Sequence, residues 1–178
     1  MKYFDELQKA MTIVSKNKKV IFLGQAVEYA GTAMTNTLKF VKSKQKLEMP
    51  VAEEMQMGIT LGLSINGMIP VSIYPRWNFL LCAMNQLVNH VDKISAMSLD
   101  GYKSKIIIRT SVGSEKPLHP HCQHVGDFAK PIKQMCKNID IIQLKEPRDI
   151  VKSYIKALNR KDGKSTIIVE FGDYYNTK

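Results

Sequence analysis

The chain has 178 residues, 44% hydrophobic and 24% charged, enough for one globular domain, 1–178, to bury its own core. No apolar run reaches the roughly 18–20 residues of a membrane span. The amphipathic start MKYFDELQKAMTIV lacks the apolar core of a signal peptide, so a cytoplasmic protein with no membrane partner is expected. The formal net charge is +10, but it comes from lysines spread along the chain with only four arginines, a poor pattern for nucleic-acid recognition. A basic surface of this kind suits an acidic partner subunit instead. Cys82, Cys122 and Cys136 are odd in number and form no C-x-x-C pair, which predicts free thiols rather than a disulfide framework or a zinc site.

Residues 2–15 carry Phe4, Leu7, Met11 and Val14 on one helical stripe. An apolar strand follows at 19–23, ending at Gly24. A short helix is expected at 34–42 and a strand at 46–49, stopped by Pro50. Residues 52–66 read as a helix closed by Gly67, a residue suited to the left-handed position after a helix end. A strand at 69–73 and one long helix at 77–97 come next, the latter with Phe79, Ala83, Leu87 and Val91 in approximate register. A β-branched strand at 105–110 leads into a loop, 111–126, that holds three of the four histidines. Helices at 127–136 and 147–160 alternate with strands at 139–144 and 165–170. This alternation predicts a three-layer α/β fold, a mainly parallel sheet with helices on both faces. Ligands of such sheets bind near the carboxyl ends of the strands, where Gly24, Glu53, the 77–79 segment and the histidine loop all fall.

Glu53 and Glu54 open a helix, and on their own would be read as partners of its dipole. Gly58 and Gly62 are less easily explained. Each costs a helix interior about 1 kcal/mol against alanine, and the two share a face that could admit another backbone. His119, His121 and His124 lie close together in HPHCQH, but no carboxylate or cysteine completes a metal-ligand set, so no metal is expected on this chain.

Pro50, Glu53, Gly58, Ile59 and Gly62, then Gly67, Pro70 and Val71, then Asn78, Phe79, Ala83, Gln86, Asn89 and Lys93, and finally Arg109, Gln123 and His124 form an ordered series. The series resembles the amino-terminal, pyrimidine-binding (transketolase-like) domain of 2-oxo acid dehydrogenase beta subunits of the pyruvate dehydrogenase type. The likeness runs from Leu7 to Glu170. It implies a thiamine-diphosphate-binding fold and gives Glu53 the role of hydrogen-bonding the cofactor's aminopyrimidine, favouring its imino tautomer. It sets Phe79 against the pyrimidine ring and makes His124 the active-site histidine, a residue type that titrates near neutral pH. It makes Gln25 a cofactor neighbour, His121 and Gln123 members of a substrate loop, and the Gly58/Gly62 face a subunit interface.

The same likeness implies a separate alpha-type subunit bringing Mg²⁺ and the diphosphate grip, in an alpha2beta2 heterotetramer acting on a 2-oxo acid. The family's Gly-Asp-Gly motif has no counterpart here beyond Gly172-Asp173-Tyr174, and its carboxy-terminal transketolase-type domain is absent from the sequence. Where the family often has Gly-Glu, this chain has Gly24-Gln25, with Glu28 as the nearest acid that could substitute. A split transketolase, a sulfopyruvate- or phosphonopyruvate-type decarboxylase subunit, and a non-catalytic scaffold or basic nucleic-acid-binding domain are the alternatives.

Overall fold

A computed structural model describes residues 1–29, 31–116 and 119–178. Its strands are β1 (Val20–Gly24), β2 (Lys46–Glu48), β3 (Ile69–Ile73), β4 (Ile107–Val112), β5 (Ile139–Gln143) and β6 (Ser165–Phe171). They pair in the order β2-β1-β3-β4-β6-β5, every neighbouring pair parallel. The helices are α1 (Tyr3–Val14), α2 (Ala33–Asn36), α3 (Glu53–Ile65), α4 (Trp77–Leu81), α5 (Ile94–Met97), α6 (Ala129–Met135), α7 (Pro147–Leu158) and α8 (Tyr174–Thr177).

Central strands of a parallel sheet are covered on both faces, so they read as unbroken apolar runs. Alternate side chains then enter opposite cores. Ile107 and Ile168 join one core with Leu7 and Met11 of α1 and with Ile150 and Tyr154 of α7. Ile108 and Ile167 join the other with Met57 of α3, Trp77 and Leu80 of α4, and Ile132 of α6. The expected three-layer architecture is the observed one, and among the described residues no helix is long and apolar enough to cross a membrane.

Two elements differ from the sequence-based expectation. The helix expected at 77–97 is broken: α4 ends at Leu81, a π-helical turn spans Gln86–Val91, and α5 follows. Ala83, Leu87 and Val91, all buried, are spaced by four. In a helix of 3.6 residues per turn that spacing drifts by about 40° per step, and the wider turn keeps all three facing the core. The turn also delivers Asp92, which is buried and accepts the Asn138 N–H at 2.7 Å. The helix expected at 34–42 is only α2. Thr32 caps its start, accepting the Thr35 N–H at 3.1 Å. The buried Thr37 hydroxyl donates to the Met34 carbonyl at 2.6 Å and accepts from Arg109 at 2.8 Å, so the chain turns there.

Arg109 is fully buried on β4 and is gripped by Glu170 of β6. Nε and Nη2 donate to the two carboxylate oxygens at 2.6 and 2.9 Å. Tyr154 of α7 donates to the same carboxylate at 2.6 Å, and so does Tyr175 of α8. Burial works against the guanidinium charge, but Glu170 outweighs it and holds the Arg109 pKa above its ordinary value. Burial, reinforced by the carboxylate, pushes both phenols well above theirs. Removing one ion of such a pair strands the other, which typically costs about 3–5 kcal/mol. Arg109→Met is therefore expected to lower the unfolding free energy by about that amount, whereas Tyr154→Phe, which removes one hydrogen bond to the carboxylate, costs the smaller amount of about 1.5–3 kcal/mol. Urea denaturation of the two variants checks this, and equal losses would contradict it.

Candidate active site

In strand order the chain reverses between β1 and β3, the switch point where open α/β sheets leave a crevice at their carboxyl ends. Gly24 closes β1 there. A Cβ on it would lie 2.5 Å from the Ile73 carbonyl oxygen on β3, so only glycine fits. The next residue, Gln25, donates from Nε2 to Glu53 Oε1 at 3.0 Å. Oε2 of Glu53 takes no hydrogen bond among the described residues.

The loop carrying Gln25 is held by a carboxylate. Glu48, at the end of β2, accepts the consecutive N–H groups of Ala26, Val27 and Glu28 at 2.6, 2.9 and 2.9 Å. Ala26 lies in the left-handed region at φ 55, which lets the three donors converge. On the other side, α3 is bolted to β3. Gln56 donates to Ser72 Oγ and the Ile73 carbonyl at 3.1 and 3.0 Å, and the Tyr74 hydroxyl donates to the Glu53 carbonyl at 3.3 Å. Glu54 is used differently from its neighbour. It is exposed and accepts from Asn85 at 2.7 Å.

Phe79 and His124, 45 residues apart in number, face each other with ring centroids 5.2 Å apart and planes at 36°. Both line a cavity of about 600 Å³ that is walled by Met34 on one side, Ser111 and Gly113 on another, and Gly172 and Tyr175 below. His124 sits at φ 62, and its buried Nδ1 has no hydrogen-bond partner among the described residues. The buried Asn78 Oδ1, one residue before Phe79, is likewise unpartnered. Buried polar atoms are normally satisfied, so the open His124 Nδ1 at this cavity marks it as a candidate ligand site, while the orphaned atoms of Asn78, Trp77, His90 and Thr110 belong to residues outside its lining.

The structure thus brings Gln25 to Glu53 and Phe79 to His124. Glu53 and Gln25 do not themselves line the cavity. His121 and Gln123 are exposed and lie outside its lining, with the His121 ring 5.4 Å edge-on to His119. Glu28 is exposed and accepts from Ser43 at 3.1 Å, so it does not reach the Gln25 position. No group of three or more metal-binding side chains occurs among the described residues. The three cysteines are free.

Sequence reasoning passed over Glu48 and the cavity's Arg76, Ser111 and Lys116. Glu48 and Ser111 act through partners distant in sequence, Arg76 and Lys116 are brought to the cavity only by the fold, and no local pattern announces any of them. Among the described residues no close approach requires a glycine at 58 or 62, though both are half-buried. A Cβ at Gly62 would meet nothing within 4 Å, and one at Gly58 only Gln86 Oε1 at 4.0 Å.

Residues 2–175 match the family model described as the transketolase, pyrimidine binding domain. A pyruvate dehydrogenase E1 component subunit beta from Gracilaria tenuistipitata var. liui is 28% identical over 181 residues, covering 98% of this chain and 54% of that protein. The 2-oxoisovalerate dehydrogenase subunit beta of Bacillus subtilis (strain 168) is 25% identical over 117 residues, covering 64% and 36%. A solved structure described as a split gene transketolase, inactive beta4 tetramer, aligns with a TM-score of 0.73 at 15% identity, covering 94% of this chain and 50% of that one. The chain spans about half the length of the curated relatives it matches.

The open space at Gly62 makes a prediction. Gly62→Ala should stabilise the isolated chain by about 0.5–1 kcal/mol, the ordinary helix-propensity gain. Thermal unfolding measures it, and a loss of stability would mean that the glycine serves packing within the chain.

Proposed function

The chain belongs to the transketolase pyrimidine-binding domain family, and on that premise we propose that it is the pyrimidine-binding subunit of a thiamine-diphosphate-dependent enzyme acting on a 2-oxo acid. The observation that carries this reading is the Gln25–Glu53 hydrogen bond at the switch point. It fixes one carboxyl oxygen and leaves the other free to meet a ring nitrogen. The cavity's aromatic wall and the unpartnered His124 Nδ1 fit a heteroaromatic group with a substrate beside it.

Thiamine diphosphate, when bound, supplies a carbon nucleophile for the substrate carbonyl and an electron sink for loss of CO₂. Glu53 would meet the pyrimidine nitrogen with its free oxygen and so favour one tautomer of the ring. Gln25 donates to the opposite oxygen and keeps the carboxyl group in plane with that task. Phe79 packs on the ring face, a contact of about 1 kcal/mol beyond burial. His124, half-buried against Phe79, exchanges protons with the substrate's oxygen atoms.

Mg²⁺ and the diphosphate fall to a separate alpha-type subunit, in an alpha2beta2 assembly. The names of the relatives, both beta subunits acting in 2-oxo acid dehydrogenases, support this division. The cytoplasm is the proposed compartment, in keeping with three free thiols.

Co-purified with its alpha-type partner, the chain should bind thiamine diphosphate, and neither subunit should do so alone. Glu53→Gln in that complex should retain cofactor binding within a few-fold and lose about 100-fold or more in turnover, the range of a general acid–base contribution. His124→Ala should lower turnover more than cofactor affinity. Unchanged turnover in Glu53→Gln would sink the tautomeric role given to this residue.

A further inference from the structure

Two cations line the same cavity without an evident task. Arg76 precedes α4 and is half-buried, and its guanidinium makes no ion pair or hydrogen bond among the described residues. Lys116, exposed on the histidine loop, lines the same cavity, and its ammonium is equally unengaged among the described residues. None of the residues lining the cavity is acidic.

The carboxylates around the cavity have other partners. Glu170 beneath it is taken by Arg109, Tyr154 and Tyr175. Glu115 lies 3.6 Å from His119, both exposed. Asp173 accepts the backbone N–H groups of Glu115 and Lys116 at 2.9 and 3.3 Å. Those two bonds also fix the loop from which Lys116 projects. Arg76 is anchored in a comparable way, because the Ser111 hydroxyl donates to the Pro75 carbonyl at 2.7 Å and ties its segment to the end of β4. The cations therefore stand on backbone segments held from the sheet, and both line one opening.

An unpaired guanidinium half-removed from water is poised for an anion. Its planar fork favours the bidentate oxygen pair of a carboxylate, phosphate or sulfonate. The Ser114 hydroxyl, also lining the cavity and without a partner among the described residues, adds a neutral donor. His124 sits at the same cavity beside the aromatic wall, so the wall and the cation pair bound one space.

We propose that Arg76 and Lys116 form a receptor for a second anionic group of the substrate, remote from its reacting carbonyl. The substrate class is a 2-oxo acid whose far end carries a carboxylate, phosphonate or related anion, in place of an alkyl chain. This rests on the cofactor reading above for the position of the reacting carbonyl, but the receptor itself can be tested without the cofactor.

The first pair of probes is matched in length. 2-Oxoglutarate and 2-oxovalerate both have five carbons and differ in the terminal carboxylate. 3-Phosphonopyruvate against pyruvate asks the same of a phosphonate. Trp77 is the only tryptophan and directly follows Arg76, so its fluorescence reports binding to the full chain. Calorimetry on the complex with the alpha-type subunit gives the second measurement.

The dianionic member of at least one pair should bind about tenfold more tightly than its monoanionic match, the scale of one charge-assisted hydrogen-bonded contact. Whichever dianion is preferred identifies the terminal group. Arg76→Gln and Lys116→Gln should each remove most of that preference, with circular dichroism and, in the complex, thiamine diphosphate affinity unchanged. Equal affinity within both pairs, or a preference that survives both substitutions, would overturn the receptor. Failure of the complex to bind thiamine diphosphate would instead overturn the cofactor reading, while the anion preference of the chain would stand.

Discussion

The buried pair of Arg109 and Glu170 is the constraint on which the rest of the molecule hangs. Taking two ions out of water costs several kcal/mol each, and only close, multiply bonded geometry offsets it. Here the geometry ties together five parts of the chain. The pair spans β4 and β6, Tyr154 brings in α7, Tyr175 brings in α8, and Thr37 brings in the turn after α2. Met34 and Tyr175, positioned by these bonds, are also walls of the cavity. Two walls of the opening of about 600 Å³ are therefore positioned by this buried ion-pair network.

A second carboxylate works in the same manner at the other end of the crevice. Glu48 spends its charge on three successive backbone donors, which fixes the loop after β1 and presents Gln25 to Glu53. Glu53 is then the one acid at the switch point with an oxygen left over. The division is physical: Glu170 and Glu48 are saturated and hold backbone in place, while Glu53 is half-satisfied and available for chemistry. The cations divide likewise. Arg109 is locked in the core, and Arg76 and Lys116 stand unpaired at the cavity.

The fold was largely legible because its determinants are local. Runs such as VIFLG, IPVSI and STIIVEF announce buried parallel strands, and the glycine after α3 marks its end. The break in the helix expected at 77–97 was not legible from polarity alone, since a spacing of four between apolar residues fits an α-helix over one turn and fails only when extended. The shortened α2 was hidden for a different reason: its end is dictated by Arg109, which lies more than seventy residues away. In the site, Glu53, Phe79 and His124 were found through the ordered series of matching residues. Glu48, Arg76 and Lys116 were not, because a carboxylate in KLEMP carries no signature until the fold brings its backbone donors near, and the cations in YPRW and SEKP carry none until the fold sets them at one cavity.

Gly58 and Gly62 turn this reasoning outward. Each weakens α3 by about 1 kcal/mol relative to alanine, and the described chain shows no close approach that requires either. Met55 and Ile59, on the same helix, are exposed as well, with 46% and 37% of their surface open. Exposed apolar side chains beside uncompensated glycines lower the stability of an isolated helix twice over, once in propensity and once in unburied surface. A surface of the proposed partner assembly would compensate for both. Glu53 opens the same helix but lies on its other side, about 140° around from Gly58 and about 180° from Gly62 at 3.6 residues per turn, so the face a partner would cover is not the face that carries the free carboxyl oxygen.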